Sequence, residues 1–314
     1  MAPSKEKIWA SLITNTDYLP GLLTLHASLL STNTAYPFVA LYTPSLPAEA
    51  LSALHARNIR THPVPYLTPE QTRAYAHDPR FAETWTKLVV FSLEEYERVV
   101  LLDGDMLVRR DMDELMTIPL ITFTSNGVAD GEVGEEREGV FAASHACACN
   151  PLRKPHYPTT WEPANCAFTT QHTNPDLAQT QGAPPSAGVG MLNSGLLVVR
   201  PSVSAWNAIE AALRTPERTE TYTFPDQELL SDVFRGRWTA LPYVYNALKT
   251  MRWEGVHDAI WRDAEVKNVH YIFAKKPWHE DPTDPTLDEL NRWWWDVCLL
   301  RRAKEKQEGI TDGF

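Results

Sequence analysis

Apolar residues along this chain follow two periods. Short continuous or alternating apolar runs predict strands at Trp9–Ile13, Phe38–Tyr42, Ile59–Val64, Val99–Leu102, Leu120–Phe123, Met191–Val199, Trp238–Leu241 and Val266–Ile272. Between them, three- and four-residue spacing predicts helices. Tyr18–Leu30 carries Leu22, Leu25 and Leu29 on one side, and Pro47–Arg57 turns Leu51 and Leu54 inward. Further helices are expected at Pro79–Leu93, at Val203–Leu213, from Pro225 to Phe234 with Pro225 and Asp226 setting its start, and at Leu287–Lys306. A strand, a polar loop (Thr14–Asp17) and a helix form the usual opening of a nucleotide-binding α/β fold, whose ligands lie over the carboxyl ends of the strands. No Gly-x-Gly-x-x-Gly or P-loop sequence is present, so dinucleotide and ATP binding are not signalled in those forms.

Residues 125–190 break the pattern. They are rich in Gly, Pro, Ala, Thr and Asn and read as an elaborate insertion, with Asp130 to Glu138 as a solvated acidic loop. The 314 residues are read as one domain carrying this insertion and a C-terminal helix whose Trp293, Trp294 and Trp295 pack over it.

The stretch YERVVLLDGDMLVRR, Tyr96 to Arg110, organises the rest. Val99 to Leu102 reads as a strand buried on both faces, and it runs straight into Asp103-Gly104-Asp105. Residues i and i+2 of an extended chain point the same way, so Asp103 and Asp105 can aim at one point while Gly104 lets the backbone turn. Buried carboxylates need a cation, and a hard divalent ion takes such oxygens. Spacing alone is a weak signal, because Asp after a strand also caps turns, as Asp111 and Asp113 are expected to do. At Asn193-Ser194-Gly195 the small residues that open a later strand permit close backbone approach to a ligand.

Net charge is −11, from 29 basic and 40 acidic residues, which argues against nucleic-acid binding. An acidic protein that binds an anionic ligand needs local cations. No run of about 20 apolar residues predicts a membrane span, and no signal peptide is read at the N-terminus, so a cytoplasmic protein with reduced cysteines is expected. Cys147-Ala-Cys149 and Cys166 could form part of a zinc site with His145 as a fourth ligand, but the pair spacing is narrow and buried thiols are the preferred reading.

Taken together, LITNTDY, TKL at Lys87, LLDGDMLV, LNSGLLVV, FPDQELL and VHYIFAKKPW resemble glycosyltransferase family 8, the group that includes glycogenin and galactinol synthase. The resemblance runs from Trp9 to Trp278. LLDGD, ACACN and AYPFVA resemble the galactinol synthase branch. It implies a GT-A (Rossmann-like) α/β fold with a mostly parallel central sheet flanked by helices, a UDP-sugar donor, Mn²⁺ and retention of anomeric configuration. It further implies that Asp103, Asp105 and His270 hold the metal and that Lys276 neutralises the diphosphate. Leu12, Thr14, Asn15 and Tyr18 would surround the uracil, and Lys87 would reach donor oxygens. Gly104, Ser194 and Gly195 would frame the donor, while Asn193, Asp226 and Gln227 bind the transferred sugar. An Asp/Asp/His set favours Mn²⁺ over Mg²⁺, since imidazole suits a borderline ion. Asp226 or Gln227 could assist as a nucleophile, but same-face attack through an ion-pair-like state needs none and is preferred.

Two features depart from the family. A Gly or another small residue is usual near Phe273 or Ala274, where Phe273 is bulky, and a sugar-binding Asp has no match near His145 and Ala146. The leading expectation is a metal-dependent hexosyltransferase acting on a small polyol or glycan acceptor. A catalytically silent nucleotide-sugar-binding domain and a glycogenin-like self-glucosylating primer are the alternatives. A homodimer is one option for assembly.

Overall fold

The computed structural model describes residues 5–123 and 136–314. Its strands are β1 (Glu6–Ile13), β2 (Phe38–Tyr42), β3 (Arg60–Pro63), β4 (Tyr96–Leu102), β5 (Met106–Val108), β6 (Ile121–Phe123), β7 (Glu136–Glu138), β8 (Phe141–His145), β9 (Leu192–Val199), β10 (Trp238–Ala240), β11 (Ala247–Leu248) and β12 (Asn268–His270). The helices are α1 (Leu19–Leu30), α2 (Ala48–Ala56), α3 (Val203–Leu213), the short α4 (Pro216–Thr219), α5 (Pro225–Val233) and α6 (Glu289–Gln307).

A seven-stranded sheet in the order β10-β8-β9-β4-β1-β2-β3 forms the centre. Every pairing in it is parallel except those of β9, which runs antiparallel to both β4 and β8. Alternate residues feed separate cores on its two faces. Ile8, Val99, Leu101, Leu197 and Val199 pack on one side. Trp9, Ile13, Val100, Leu102, Leu196 and Val198 pack on the other. The continuous apolar runs of β4 and β9 are thus those of strands buried twice over. Because β9 runs backwards, its first residues, Asn193 to Gly195, lie beside the end of β4.

Four expectations change. Phe141–His145 lies inside the stretch read as an insertion, yet it is a strand of the central sheet, buried along its whole length. Its alanines and serine carry little β-propensity, so no apolar pattern marked it. Val266–Ile272 contributes only Asn268–His270, and these sit in a separate small sheet ordered β11-β12-β5. Pro79–Leu93 forms 3₁₀ turns, Pro79–Ala82 and Thr84–Ser92, in place of an α-helix. Within the acidic stretch, residues 130–135 lie outside the described residues, and Glu136–Glu138 pairs with Ile121–Phe123 as β7 with β6.

The tryptophans of α6 do pack over the domain. Trp294 is fully buried 5.5 Å from Trp278, and the Trp295 indole donates to the Pro277 carbonyl at 3.0 Å. They brace the loop that follows β12.

Candidate active site

After β4 the chain turns through Asp103-Gly104-Asp105 into β5. The Asp103 backbone N–H donates to the Gly195 carbonyl at 2.8 Å, which anchors the turn on β9. On its other side stands Gly21 of α1. A Cβ there would lie 2.4 Å from the Gly104 carbonyl oxygen and 2.6 Å from the Trp278 ring, so only glycine lets α1 close onto the turn.

β5 pairs antiparallel with β12, Met106 opposite His270, and this brings the imidazole to the carboxylates. The ligating atoms of Asp103, Asp105 and His270 all lie within 4.8 Å of one another. His270 Nε2 is 3.4 Å from Asp105 Oδ1 and 3.7 Å from Asp103 Oδ2. Asn246 holds the ring. Its Nδ2 donates to Asn193 Oδ1 at 2.8 Å, which leaves its own Oδ1 to accept from His270 Nδ1 at 2.9 Å. With Nδ1 engaged by Asn246, Nε2 is the ring nitrogen that faces the carboxylates, as in a metal-binding histidine oriented by an outer partner. The residues present fit a divalent ion.

Two lysines enter from opposite sides. Lys87 Nζ is 2.7 Å from Asp103 and 3.9 Å from Asp226. Lys276 is buried, pairs with Asp105 and donates to the Tyr271 carbonyl at 2.9 Å. Burial raises the Asp103 carboxyl, and the charge of Asp105 adds to this, so Lys87 does not bring it down to its ordinary value. Burial acts on Asp105 too, but Lys276 and His270 outweigh it and hold Asp105 well below the usual carboxylate range. Burial pushes the Lys276 ammonium down. It would do the same to Lys87, but Asp103 and Asp226 raise that group.

Every residue expected at the site lines one cavity of about 320 Å³. Leu12, Thr14, Asn15 and Tyr18 come from the end of β1 and the turn after it. Asp226 and Gln227 project from the first turn of α5, which Glu228 closes by accepting from the N–H groups of Thr223 (3.0 Å) and Phe224 (2.9 Å). Asp226 Oδ2 is buried and has no hydrogen-bond partner; the 3.9 Å contact with Lys87 is ionic only. Gln227 Oε1 lies 3.5 Å from Asn193 Nδ2. Lys87, which a helix reading would leave in solvent, faces the carboxylates instead.

Other lining residues were not expected at the site, although Phe224 opens the FPDQELL motif. Arg80 donates to the Tyr18 hydroxyl at 2.6 Å and to the Phe273 carbonyl at 3.4 Å, and Glu83 accepts from Thr14 at 2.6 Å. Trp161 stacks on Phe224 at 4.7 Å, with Tyr157 edge-on to both, forming an aromatic wall. Arg80 sits in a turn capped by Asp78, but the short turns and loops that carry most of these residues have no apolar period to mark them. His145 is turned away, its Nε2 3.0 Å from the Ala183 carbonyl oxygen and 3.1 Å from that of Pro184. Phe273 has φ +75°, the left-handed conformation that glycine adopts freely and that costs another residue about 1–3 kcal/mol. The loop thus keeps a glycine-like backbone under a bulky side chain, whose ring lies 4.9 Å from Lys154 Nζ and 5.9 Å from Lys249 Nζ.

The sequence pattern of glycosyl transferase family 8 matches residues 10–282. The chain belongs to this family. This family 8 protein is 25% identical over 293 residues to galactinol synthase 1 of Ajuga reptans, covering 90% of its own length and 78% of the plant protein. To galactinol synthase 2 of Solanum lycopersicum it is 26% identical over 292 residues, covering 90% and 77%. Among solved structures, an active-site mutant of LgtC superposes with TM-score 0.56 at 16% identity, covering 93% of this chain and 95% of that one. GlyE of Streptococcus pneumoniae TIGR4 gives TM-score 0.56 at 15% identity over 98% of this chain, which spans 65% of that longer protein, less than two thirds. The family 8 chain is a glycosyltransferase with the GT-A fold. Among the described residues, no helix is long and apolar enough to cross a membrane.

Gly195 supplies a test of the packing around His270. A Cβ there would stand 2.3 Å from His270 Cε1 and 2.7 Å from Nδ1. Gly195→Ala is expected to push the imidazole off Asn246 and cost about 1–3 kcal/mol of stability. Affinity for a divalent ion, probed with Mn²⁺, should fall about tenfold or more, as when an outer partner of a ligand is lost. Calorimetric Mn²⁺ titration beside a thermal melt measures both, and unchanged affinity refutes the assigned geometry.

Proposed function

We propose that this family 8 chain transfers a hexose from a UDP-sugar to a small polyol or glycan acceptor, with retention of configuration and in dependence on a divalent cation. The observation that carries this reading is the convergence of Asp103, Asp105 and His270 within 4.8 Å at the carboxyl end of β4. A divalent ion held there, Mn²⁺ in preference to Mg²⁺ because an imidazole joins the oxygens, would supply charge stabilisation to the departing UDP.

The protein's own groups support the same chemistry. Asp103, Asp105 and Asp226 against Lys87 and Lys276 leave one net negative charge. One divalent ion reverses that sign, and an anionic diphosphate then finds a positive site in an acidic protein. Lys276 reaches the diphosphate with a buried ammonium, and Lys87 holds the opposite side. The unpartnered Asp226 Oδ2 suits a hydroxyl of the transferred sugar, since a buried acceptor without a partner is costly until a ligand donates to it. Asn193 and Gln227 supply amide groups beside it. Thr14 and Asn15 offer polar edges to the uracil, and the Tyr18 ring, braced edge-on by Trp278 at 5.6 Å, offers it a face. Gln227 is a neutral amide and a poor nucleophile, so attack of the acceptor on the face that UDP leaves is the simpler route.

The similarity to galactinol synthases makes UDP-galactose and myo-inositol the first pair to try. The test is UDP release with Mn²⁺ over UDP-glucose, UDP-galactose, UDP-N-acetylglucosamine, UDP-xylose and UDP-glucuronate, with and without inositol. Release from one donor, raised by inositol and abolished by EDTA, is the expected result. Release that ignores inositol moves the acceptor to glycans or proteins, and added hexoses in the intact mass would mark self-glycosylation. UDP binding with no turnover of any donor overturns the proposal in favour of a silent domain.

A further inference from the structure

Three cysteines and a histidine meet at a second point that the transfer chemistry does not use. Cys147 and Cys149 follow β8, Cys166 ends the 3₁₀ turn Pro163–Asn165, and His257 lies in the turns after Trp253. Their four ligand atoms all lie within 4.8 Å of one another. His257 Nε2 is 3.2 Å from Cys149 Sγ and 3.3 Å from Cys166 Sγ. All four cysteines of the chain are unpaired thiols. Cys149, Cys166 and His257 are buried, and Cys147 is half-buried.

We infer that these residues form a structural zinc site, Cys147/Cys149/Cys166/His257. Three sulfurs and one imidazole are a recurrent closed, four-coordinate zinc set. A tetrahedral ion with metal–sulfur bonds of about 2.3 Å sets its sulfurs about 3.8 Å apart, which falls inside the 4.8 Å that encloses the four donor atoms. The imidazole is already oriented. His257 Nδ1 lies 2.9 Å from His172 Nε2, so its other nitrogen is held by an outer partner while Nε2 faces the sulfurs. His145, the nearby histidine in sequence, is occupied by two carbonyls and is not a ligand. Ordinary packing of thiols as small apolar groups does not require four donor atoms to converge on one point. The donor set also differs in kind from the carboxylate site. Soft sulfur selects zinc, whereas Asp103, Asp105 and His270 suit a harder ion, so the two sites take different metals.

The site has a structural task. The stretch between Cys147 and Cys166 forms one wall of the cavity, contributing Asn150, Lys154, Tyr157 and Trp161 through turns in place of sheet pairing. An ion shared with His257 ties both ends of that wall to the body of the domain, and the binding free energy becomes folding free energy.

The test uses the whole chain, expressed with zinc and purified without chelator. Mass spectrometry of metals should find one zinc per chain, in the wild type and equally in Asp103→Asn, which separates this site from the carboxylate centre. Cobalt loaded in its place should show thiolate-to-cobalt charge transfer and the visible bands of tetrahedral Co²⁺. Cys166→Ser should lose both metal and bands. If that variant does not fold, His172→Ala keeps every ligand and should release zinc to a competing chelator about tenfold more readily. Substoichiometric zinc without cobalt–thiolate absorption, stoichiometric iron in its place, or a disulfide among Cys147, Cys149 and Cys166 overturns the assignment.

Discussion

Asp103→Asn is expected to lower kcat/KM for donor turnover at least about a thousandfold, equivalent to about 4 kcal/mol of transition-state stabilisation, while leaving the fold nearly as stable. The activity loss follows from removing one of two carboxylates that a divalent ion would share with His270. The small stability cost follows from the charges around it. Lys87 loses its 2.7 Å partner but keeps Asp226 at 3.9 Å, so no buried ammonium is stranded. The Asp103 carboxyl is itself raised by burial, which means that folding already strains its charged form and a neutral amide relieves part of that strain. The melting free energy should change by about 1 kcal/mol. Metal-dependent UDP release and a thermal melt on the same preparation measure the two effects, and near-normal release would refute the metal assignment.

Lys276→Met should do the opposite to stability. Lys276 is 2% exposed and Asp105 5%, so removing the ammonium leaves a carboxylate in the interior beside Asp103 and His270, without its lysine partner. Stranding one partner of a buried pair costs about 3–5 kcal/mol. Asp105 is held low chiefly by Lys276 against burial, so its carboxyl should rise toward or above the ordinary range in the variant. A cation that binds Asp105 replaces the lost charge, and Mn²⁺ should therefore raise the melting temperature of Lys276→Met more than that of the wild type. Activity should stay about a hundredfold down even with saturating Mn²⁺, because under the proposed function the donor diphosphate would lose a placed ammonium. An unchanged melt would show that Lys276 does not stabilise Asp105, and full activity restored by Mn²⁺ would show that it makes no donor contact.

What was legible in the sequence and what was not divide on physical lines. β2 and α3 occupy the residues that periodicity assigned, and β1, β9 and α5 differ only at their ends. Each buries a patterned face, and burial writes its period into the chain. The pairing of Asp103 with Asp105 was readable because an i, i+2 relation at a strand end is local geometry. β8 was not readable, because a strand of small residues in the middle of a sheet needs no strong pattern of its own. Whether Lys87 and Lys276 lie in solvent or between carboxylates could not be decided from their neighbours in sequence.

The sequence by itself determined the α/β layering, the position of the carboxylate turn and, through six separated motifs, the family. The motifs also named distant residues expected there, but tertiary structure alone decided how they meet. His270 reaches Asp105 only because β5 turns back against β12 in a second small sheet. Asn246 orients it only because Asn193, at the start of an antiparallel strand, comes alongside. His257, and not the adjacent His145, completes the cysteine cluster for the same reason. Periodicity reports which face of an element is buried. The partner across a hydrogen-bonded pair or a metal cluster is set by chain topology, which no local pattern encodes.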